Sequence, residues 1–193
     1  MRAGASDDAE TTRLALAARG GDPVARDRFV RATQRDVWRF VAYLAGVQAA
    51  DDLTQETYLR ALGSLPRFSG KSSARTWLLS IARRVAVDDY RAARVRPRRA
   101  DVEDWQDAAD RAHRPGPGFD DGVALAGLLD GLAEERRTAF VLTQVFGLTY
   151  GEAAQVCRCP VGTIRSRVAR AREDLATLLR AAESGRRQGR STA

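Results

Sequence analysis

The sequence predicts an all-α chain, with two small helical domains joined by a flexible linker. Three observations carry this. Apolar residues recur at helical spacing through most of the chain, and no stretch alternates as a half-buried strand requires. Paired stop and start signals, such as Gly20-Gly21 followed by Asp22-Pro23, punctuate the first half. A mixed-charge stretch bracketed by Pro97, Pro115 and Pro117 separates the halves, with little apolar content beyond Val102 and Trp105. The domains accordingly span 8–95 and 119–182. The linker, 96–118, reaches about 65 Å if extended.

Composition narrows the class. The 193 residues include 32 basic and 25 acidic side chains, a net charge of +7 with a pI near 10.3. Lys71 is the only lysine. Arginine suits bidentate contact with phosphates and base edges, although a GC-rich coding bias yields the same excess. No apolar run approaches the ~20 residues of a membrane span. The polar, acidic start MRAGASDDAETT is no signal peptide, so the expectation is a cytoplasmic protein. Cys157 and Cys159 are too close to staple a fold.

The first helix covers 7–19. Asp22 and Pro23 open the second, the aspartate as cap and the proline in the first turn, and Gly46 stops it after 45. Phe29, Val37, Phe40, Val41 and Leu44 form its buried stripe, while Trp38 and Tyr43 fit core or interface. A third helix spans 51–62. Asp51 and Asp52 occupy its first turn, where negative charge suits the helix dipole, and Leu53, Leu59 and Leu62 point inward. Asp52, Gln55 and Glu56 share an exposed face. In a basic chain such a face is a candidate dock for a basic partner, and simple solubility explains it as well.

The stretch 64–73, SLPRFSGKSS, is a loop. Phe68 looks exposed there, flanked by Arg67 and Lys71, a composition that stacks an unpaired base while holding its phosphates. A core position for Phe68 fits equally. Ser72 or Ser73 caps the next helix, which runs to about 94 with Trp77, Leu78, Ile81, Val85 and Val87 apolar and Arg75, Arg83, Arg84, Arg91 and Arg94 charged. Between 67 and 98, nine basic residues face only Asp88 and Asp89, a local excess of +7. Phosphates are its natural counterpart.

In the second domain a helix carries Val123, Leu125, Leu128 and Leu129 and ends at Gly131. Another spans 133–146, with Phe140, Val141, Val145 and Phe146 apolar, and Gly147 stops it. Then comes LTYGEAAQVCRCPVGTIRSRVARAR. Thr149 caps a short helix over 150–156, and Glu152 completes a capping box. Cys157, Arg158 and Cys159 form a three-residue turn, and Pro160 opens the following helix. This is the layout of a helix-turn-helix. At about 100° per residue, Ile164, Val168, Ala171 and Leu175 fall on one face and Arg165, Ser166, Ala169 and Arg170 on the opposite one. Arginines and small residues on an outer face suit entry into a major groove. The tail after 182 is expected to be disordered.

Catalytic chemistry finds no support. Asp51-Asp52 and Asp88-Asp89 are adjacent pairs, whose members diverge on a helix and cannot share one site. The only histidine, His113, lies in the linker, and with Cys157 and Cys159 it lacks the usual zinc spacing. Cys157 fits a small core residue.

Three stretches in order, DDLTQETYLRAL, RFSGKSSARTWLLSIARRVAVDDYR and LTYGEAAQVCRCPVGTIRSRVARARE, resemble the extracytoplasmic-function class of bacterial RNA polymerase sigma factors, in the sigma-70 family. The resemblance covers about 10–94 and 120–180. It implies a region 2-like domain over 8–95. There Asp52, Gln55 and Glu56 would dock on the β′ clamp coiled coil of core polymerase, and Arg67, Phe68, Lys71, Arg75, Trp77 and Arg84 would hold the melted minus-ten strand. It also implies a region 4-like domain over 119–182, packing on the β-flap. That domain would read the duplex minus-thirty-five element through Thr163, Arg165, Ser166, Arg167, Ala169, Arg170 and Arg172. The linker would thread toward the RNA exit path. No cofactor, metal, membrane span or enzymatic activity is implied, and an anti-sigma factor is a further partner the class admits. The rival reading is a stand-alone helix-turn-helix regulator that binds duplex DNA without polymerase. Such a protein needs a sensor pocket, and the basic 67–98 stretch offers none. One departure stands out: the family favours glycine, or a similarly permissive residue, where this chain has Arg158. A left-handed backbone there costs a non-glycine residue roughly 1 kcal/mol. Either Arg158 offsets this by touching a phosphate, or the turn takes another shape.

Overall fold

Asp22 and Gly46 define the helix on which the first unit is assembled. Asp22 Oδ1 accepts from the amides of Val24 and Ala25 at 2.8 and 3.0 Å, closing two of the backbone donors that a helix start leaves open. Gly46, at φ 89°, ends the helix through its own N–H to the Ala42 carbonyl. Between them lies α2, Pro23–Ala45. The computed structural model describes residues 3–95 and 127–189, with side chains described over 7–92 and 127–181. The chain divides into two compact units, 1–113 and 114–193. Every regular element among the described residues is helical. The expected linker and most of the helix carrying Val123 and Leu125 lie outside the described residues.

In the first unit α1 (Ala3–Arg19), α3 (Val47–Ser64) and α4 (Ala74–Val95) all pack against α2. Phe29, Val37, Phe40 and Val41 are buried on α2, as are Leu78, Leu79 and Val85 on α4, which packs against it. Ala50, Ala61, Ala74 and Ala82 are fully buried, and such small side chains let helix backbones approach closely. Tyr43 is core, whereas Trp38 is half-buried and donates from Nε1 to Asp51 Oδ1 at 2.7 Å. The start of α4 is closed from two sides. Ser73 Oγ accepts from the Thr76 amide, and Thr12 Oγ1 on α1 accepts from the Ala74 amide.

Two expectations for this unit are corrected. The third helix begins at Val47 rather than 51, because Gly46 alone reverses the chain and no linker residue is needed. Asp51 and Asp52 therefore sit a turn further in than expected. Leu59 points outward and is 63% exposed, since Ala50, Leu53, Thr57 and Ala61 already fill the buried stripe.

The second unit contains α5 (Glu134–Phe140), α6 (Tyr150–Cys157) and α7 (Val161–Gly189). Residues 127–129 are helical, and Leu129 and Leu132 are buried. A Cβ at Gly131 would lie 2.7 Å from Leu178 Cδ1, so any larger residue there needs the Leu178 side chain to swing aside. The helix expected over 133–146 is not one α-helix. From Val141 to Val145 it widens into a π-helix, with the Phe146 amide bonded to the Val141 carbonyl at 3.0 Å. Thr143 Oγ1 donates to the Ala139 carbonyl at 2.8 Å, in competition with the regular ladder there. The tail expected to be disordered after 182 continues α7 to Gly189. Ala181, Ala182, Glu183, Arg186, Arg187 and Gln188 are good helix formers and outweigh Gly185.

Tyr58 ties α3 to α2: its hydroxyl lies 2.7 Å from Thr33 Oγ1. Burial pushes its pKa from 10.0 up to about 12, against the lowering effect of the Thr33 hydrogen bond and with help from Asp36. The native state thus holds the phenolic proton after the unfolded chain has released it, and stability falls as pH rises from 10 toward 12. The loss amounts to about 2 kcal/mol. Urea unfolding between these pH values should show this decline in the wild type and a flatter profile in Tyr58→Phe.

Candidate nucleic-acid interface

The turn between α6 and α7 is built from a capped helix start, a left-handed C-cap and a proline-led second helix. Thr149 Oγ1 accepts from the Glu152 amide at 3.2 Å, and Glu152 Oε2 accepts from the Thr149 amide at 2.8 Å, the expected capping box. The helix it opens extends to Cys157, one residue beyond expectation, so the connecting residues are Arg158, Cys159 and Pro160. Arg158 adopts the left-handed conformation at φ 53°, ψ 48°. Its amide donates to the Ala154 and Gln155 carbonyls, and the Cys159 amide reaches Ala154 O at 3.1 Å, a Schellman closure. The Pro160 carbonyl then accepts from Thr163 and Ile164 to start α7. The strained turn anticipated for Arg158 is the turn that forms.

This closure fixes the phase of α7. Ile164, Val168 and Ala171 are buried and Leu175 is half-buried. Arg165, Ser166, Ala169 and Arg170 are exposed on the other side. Arg165 and Arg170 make no hydrogen bond or ion pair with any described residue. Ser166 Oγ donates to the Thr163 carbonyl at 3.0 Å, which leaves its lone pairs free to accept. Thr163 itself is half-buried. The flanking arginines are held. Arg167 Nη1 lies 3.8 Å from Cys159 Sγ, and Arg172 Nη2 donates to Gln144 Oε1 at 2.8 Å. Arg136 on α5 pairs with Asp174 at 2.6 Å, clamping α7 from behind. A helix carrying two unpaired arginines, a hydroxyl and an alanine outward, and braced behind, can present donors to base edges. Cys157 is buried, as its core reading requires, and Cys159 is half-buried.

In the first unit the basic loop departs from expectation at its centre. Phe68 is only 4% exposed. Its amide donates to Leu65 O at the end of a short 3-10 turn, Leu65–Arg67, and its carbonyl accepts from Arg19 Nη1 at 3.0 Å. Its ring packs on Trp77, with centroids 4.9 Å apart at 42°. The apparently exposed aromatic is thus a core anchor, because burying a phenyl ring against a tryptophan outweighs leaving it in water. Trp77, half-buried, is the member of the pair that reaches the surface. Arg67, Lys71 and Arg84 are exposed around it. Arg75 is only 23% exposed at its side chain and is committed within the unit, its Nη2 lying 3.1 Å from Asp36 Oδ2 and its Nε 3.9 Å from Asp8.

On α3, Asp52 and Gln55 are exposed and Glu56 half-buried. Glu56 is not free: Arg60 bridges it at 2.7 Å and Asp88 of α4 at 2.8 Å, and these two carboxylates, Asp88 first, raise the arginine's pKa. Leu59 lies almost directly behind Asp52 on the same face, seven residues on. Sequence reasoning missed it as part of this face, although its phase relative to Asp52 was the available signal. Among the described residues no group of three or more His, Cys, Asp or Glu could hold a metal, and no helix is long and apolar enough to cross a membrane.

Residues 29–96 match the family model for sigma-70 region 2, and residues 123–175 that for sigma-70, region 4. The chain is 54% identical over 175 residues to the ECF RNA polymerase sigma factor SigC of Mycobacterium tuberculosis, covering 91% of this chain and 94% of that protein. It is 39% identical over 147 residues to the ECF RNA polymerase sigma factor EcfG of Rhodopseudomonas palustris, covering 72% and 77%. Among solved structures it resembles CnrH in complex with the cytosolic domain of CnrY, with a TM-score of 0.68 and 25% identity over 89% of this chain and 98% of that one. It also resembles the sigma factor RpoE in complex with the anti-sigma factor NepR from Bartonella quintana, with a TM-score of 0.61 and 25% identity over 80% and 96%.

The burial of Phe68 sets an expectation that a surface base-stacker would not meet. Phe68→Ala should cost about 3–5 kcal/mol of stability, measured by urea unfolding of the full chain. A loss under 1 kcal/mol would return the ring to the surface.

Proposed function

The chain belongs to the extracytoplasmic-function sigma factors of the sigma-70 family, and from this we infer that it binds core RNA polymerase and directs promoter-specific transcription initiation. The observation that carries this is the ordered match to regions 2 and 4, with a helix-turn-helix of defined phase inside the second. A stand-alone regulator is set aside, because a relative sharing 54% identity across nearly the whole chain is a sigma factor. Sigma factors are initiation factors rather than enzymes. The place of action follows the polymerase, in the cytoplasm.

Each unit takes its own share of the work. The region 2-like unit, 8–95, docks on the polymerase β′ clamp coiled coil through Asp52, Gln55 and Glu56. Leu59 supplies an apolar contact beside them, of the kind that centres a polar rim. Asp52 is the carboxylate available for a basic partner, whereas Glu56 must exchange Arg60 for it. The same unit holds the melted minus-ten strand. Arg67, Lys71 and Arg84 meet phosphates and Trp77 offers the stacking surface, with Phe68 setting the height of the loop from beneath. Arg75 acts through its ion pairs with Asp36 and Asp8, keeping α1, α2 and α4 in register below that loop.

The region 4-like unit, 119–182, reads the minus-thirty-five duplex with α7 and packs on the β-flap. Arg165 and Ser166 lie in the first two turns, the part of a recognition helix that usually meets base edges. Arg170 reaches a base or a phosphate one turn on, and Ala169 permits close approach. Thr163, Arg167 and Arg172 hold the flanks. An anti-sigma factor is a fitting regulator, since the two solved structures described above were each captured with a second protein and one of these is named as such.

Two experiments test this. Changing Asp52 and Glu56 together to lysine should abolish co-purification with core polymerase while leaving the circular dichroism of the helices unchanged. Undiminished binding would remove the dock from α3. For the reader, holoenzyme binding to a library randomised across the minus-thirty-five element should show Arg165→Ala relaxing preference at one base pair, at a cost of about 1–3 kcal/mol. Arg172→Ala should instead weaken all sequences alike. A uniform loss for Arg165→Ala would move that residue to the phosphates and leave reading to Ser166 and Arg170.

A further inference from the structure

Arg158 is the only non-glycine residue with a positive φ among the described residues. Wherever else they require such a backbone, at Gly21, Gly46, Gly70 and Gly147, the chain supplies glycine. Here it keeps the side chain and accepts the strain that comes with it.

What the turn draws from position 158 is entirely backbone. The amide closes the end of α6 on Ala154 and Gln155, and the φ of 53° lets Cys159 complete the closure. Glycine would serve both purposes without strain. The side chain is exposed and makes no hydrogen bond or ion pair with any described residue. Five arginines elsewhere, Arg60, Arg75, Arg136, Arg137 and Arg172, are each held by a carboxylate or an amide oxygen. Arg158 belongs with Arg165 and Arg170, which have no partner among the described residues and lie on the outer face of α7.

Its place in the motif identifies the group it would meet. The outer face of α7 enters the groove by its first turns, so the residues just before Pro160 stand at the groove's edge, where the sugar-phosphate strand runs. Contacts from that position set register and orientation and carry no sequence information. We propose that Arg158 binds a backbone phosphate flanking the minus-thirty-five element and anchors the leading end of α7. The inference rests on the reading of that element by α7.

Arg158→Gly separates a DNA contact from a role in the fold, because the two predict opposite changes in stability. In the full chain its melting temperature should rise by about 4 °C or more as the strain is relieved. In holoenzyme, binding to a duplex selected from the randomised library should weaken roughly tenfold for every sequence, with a salt dependence shallower by about one unit. Arg158→Lys should retain most of the affinity and the salt slope, since a phosphate accepts a point charge. Unchanged affinity and slope in Arg158→Gly would overturn the phosphate contact while leaving the Arg165 reading intact. So would a lowered melting temperature, which would make the arginine a prop of the turn, or an altered base preference, which would move it to a base edge. If wild-type holoenzyme fails to protect the minus-thirty-five duplex at all, the reading by α7 falls and this contact with it.

Discussion

A chain of helices with turns of two or three residues can reverse only where it closes the backbone groups that each helix end leaves open. That constraint shapes both units. Asp22 satisfies two amides at the start of α2, and Gly46 ends the helix with one carbonyl bond and reverses the chain at once. Ser73 and Thr12 share the start of α4, the second of them from another helix, so the cap is also a tertiary contact. In the second unit the Thr149–Glu152 box and the Arg158 closure leave the backbone only one way round the corner. Once those ends are placed, the direction of each helix and the faces it buries follow.

Charge is sorted by the same architecture. A net excess of +7 says little about where the cations act, because many are used internally. Arg75 ties α4 to α2 and α1, Arg60 joins α3 to α4, and Arg136 joins α5 to α7. At exposed positions such pairs contribute little stability each. Their effect here is to withdraw particular guanidinium groups from the set available to an outside anion. Arg158, Arg165 and Arg170 are not withdrawn in this way and stay available at the helix-turn-helix.

Much of this was legible in the sequence wherever a local signal was unambiguous. Asp22-Pro23 and Gly46 bound α2 to the residue, and the capping box and the two faces of α7 stand where the spacing placed them. The misplacements have separate physical causes. An acidic pair is so common in a first turn that Asp51-Asp52 concealed a start at Val47, which needed nothing but a glycine before it. Leu59 carries an inward-looking residue type on an outward phase, and its phase proved the better guide. The π segment over Val141–Val145 leaves no trace in apolar periodicity. For Phe68, composition cannot separate a ring laid on Trp77 from a ring held open for a base, since both need an aromatic in a basic loop.

The unbroken course of α7 has a consequence for how its surface can change over time. One helix of 29 residues, about 43 Å at 1.5 Å per residue, carries both the stripe that holds it in the unit and the face that looks out. No break separates the two duties. An exchange of letters at Arg165, Ser166, Ala169 or Arg170 leaves the stripe of Ile164, Val168 and Ala171 untouched, so the outer face can change while the packing is kept. Adding or removing one residue between Pro160 and Val168 swings the two stretches by about 100° relative to each other and places a guanidinium where a methyl belongs. Diversification along this helix is thus open to replacement and closed to changes of length.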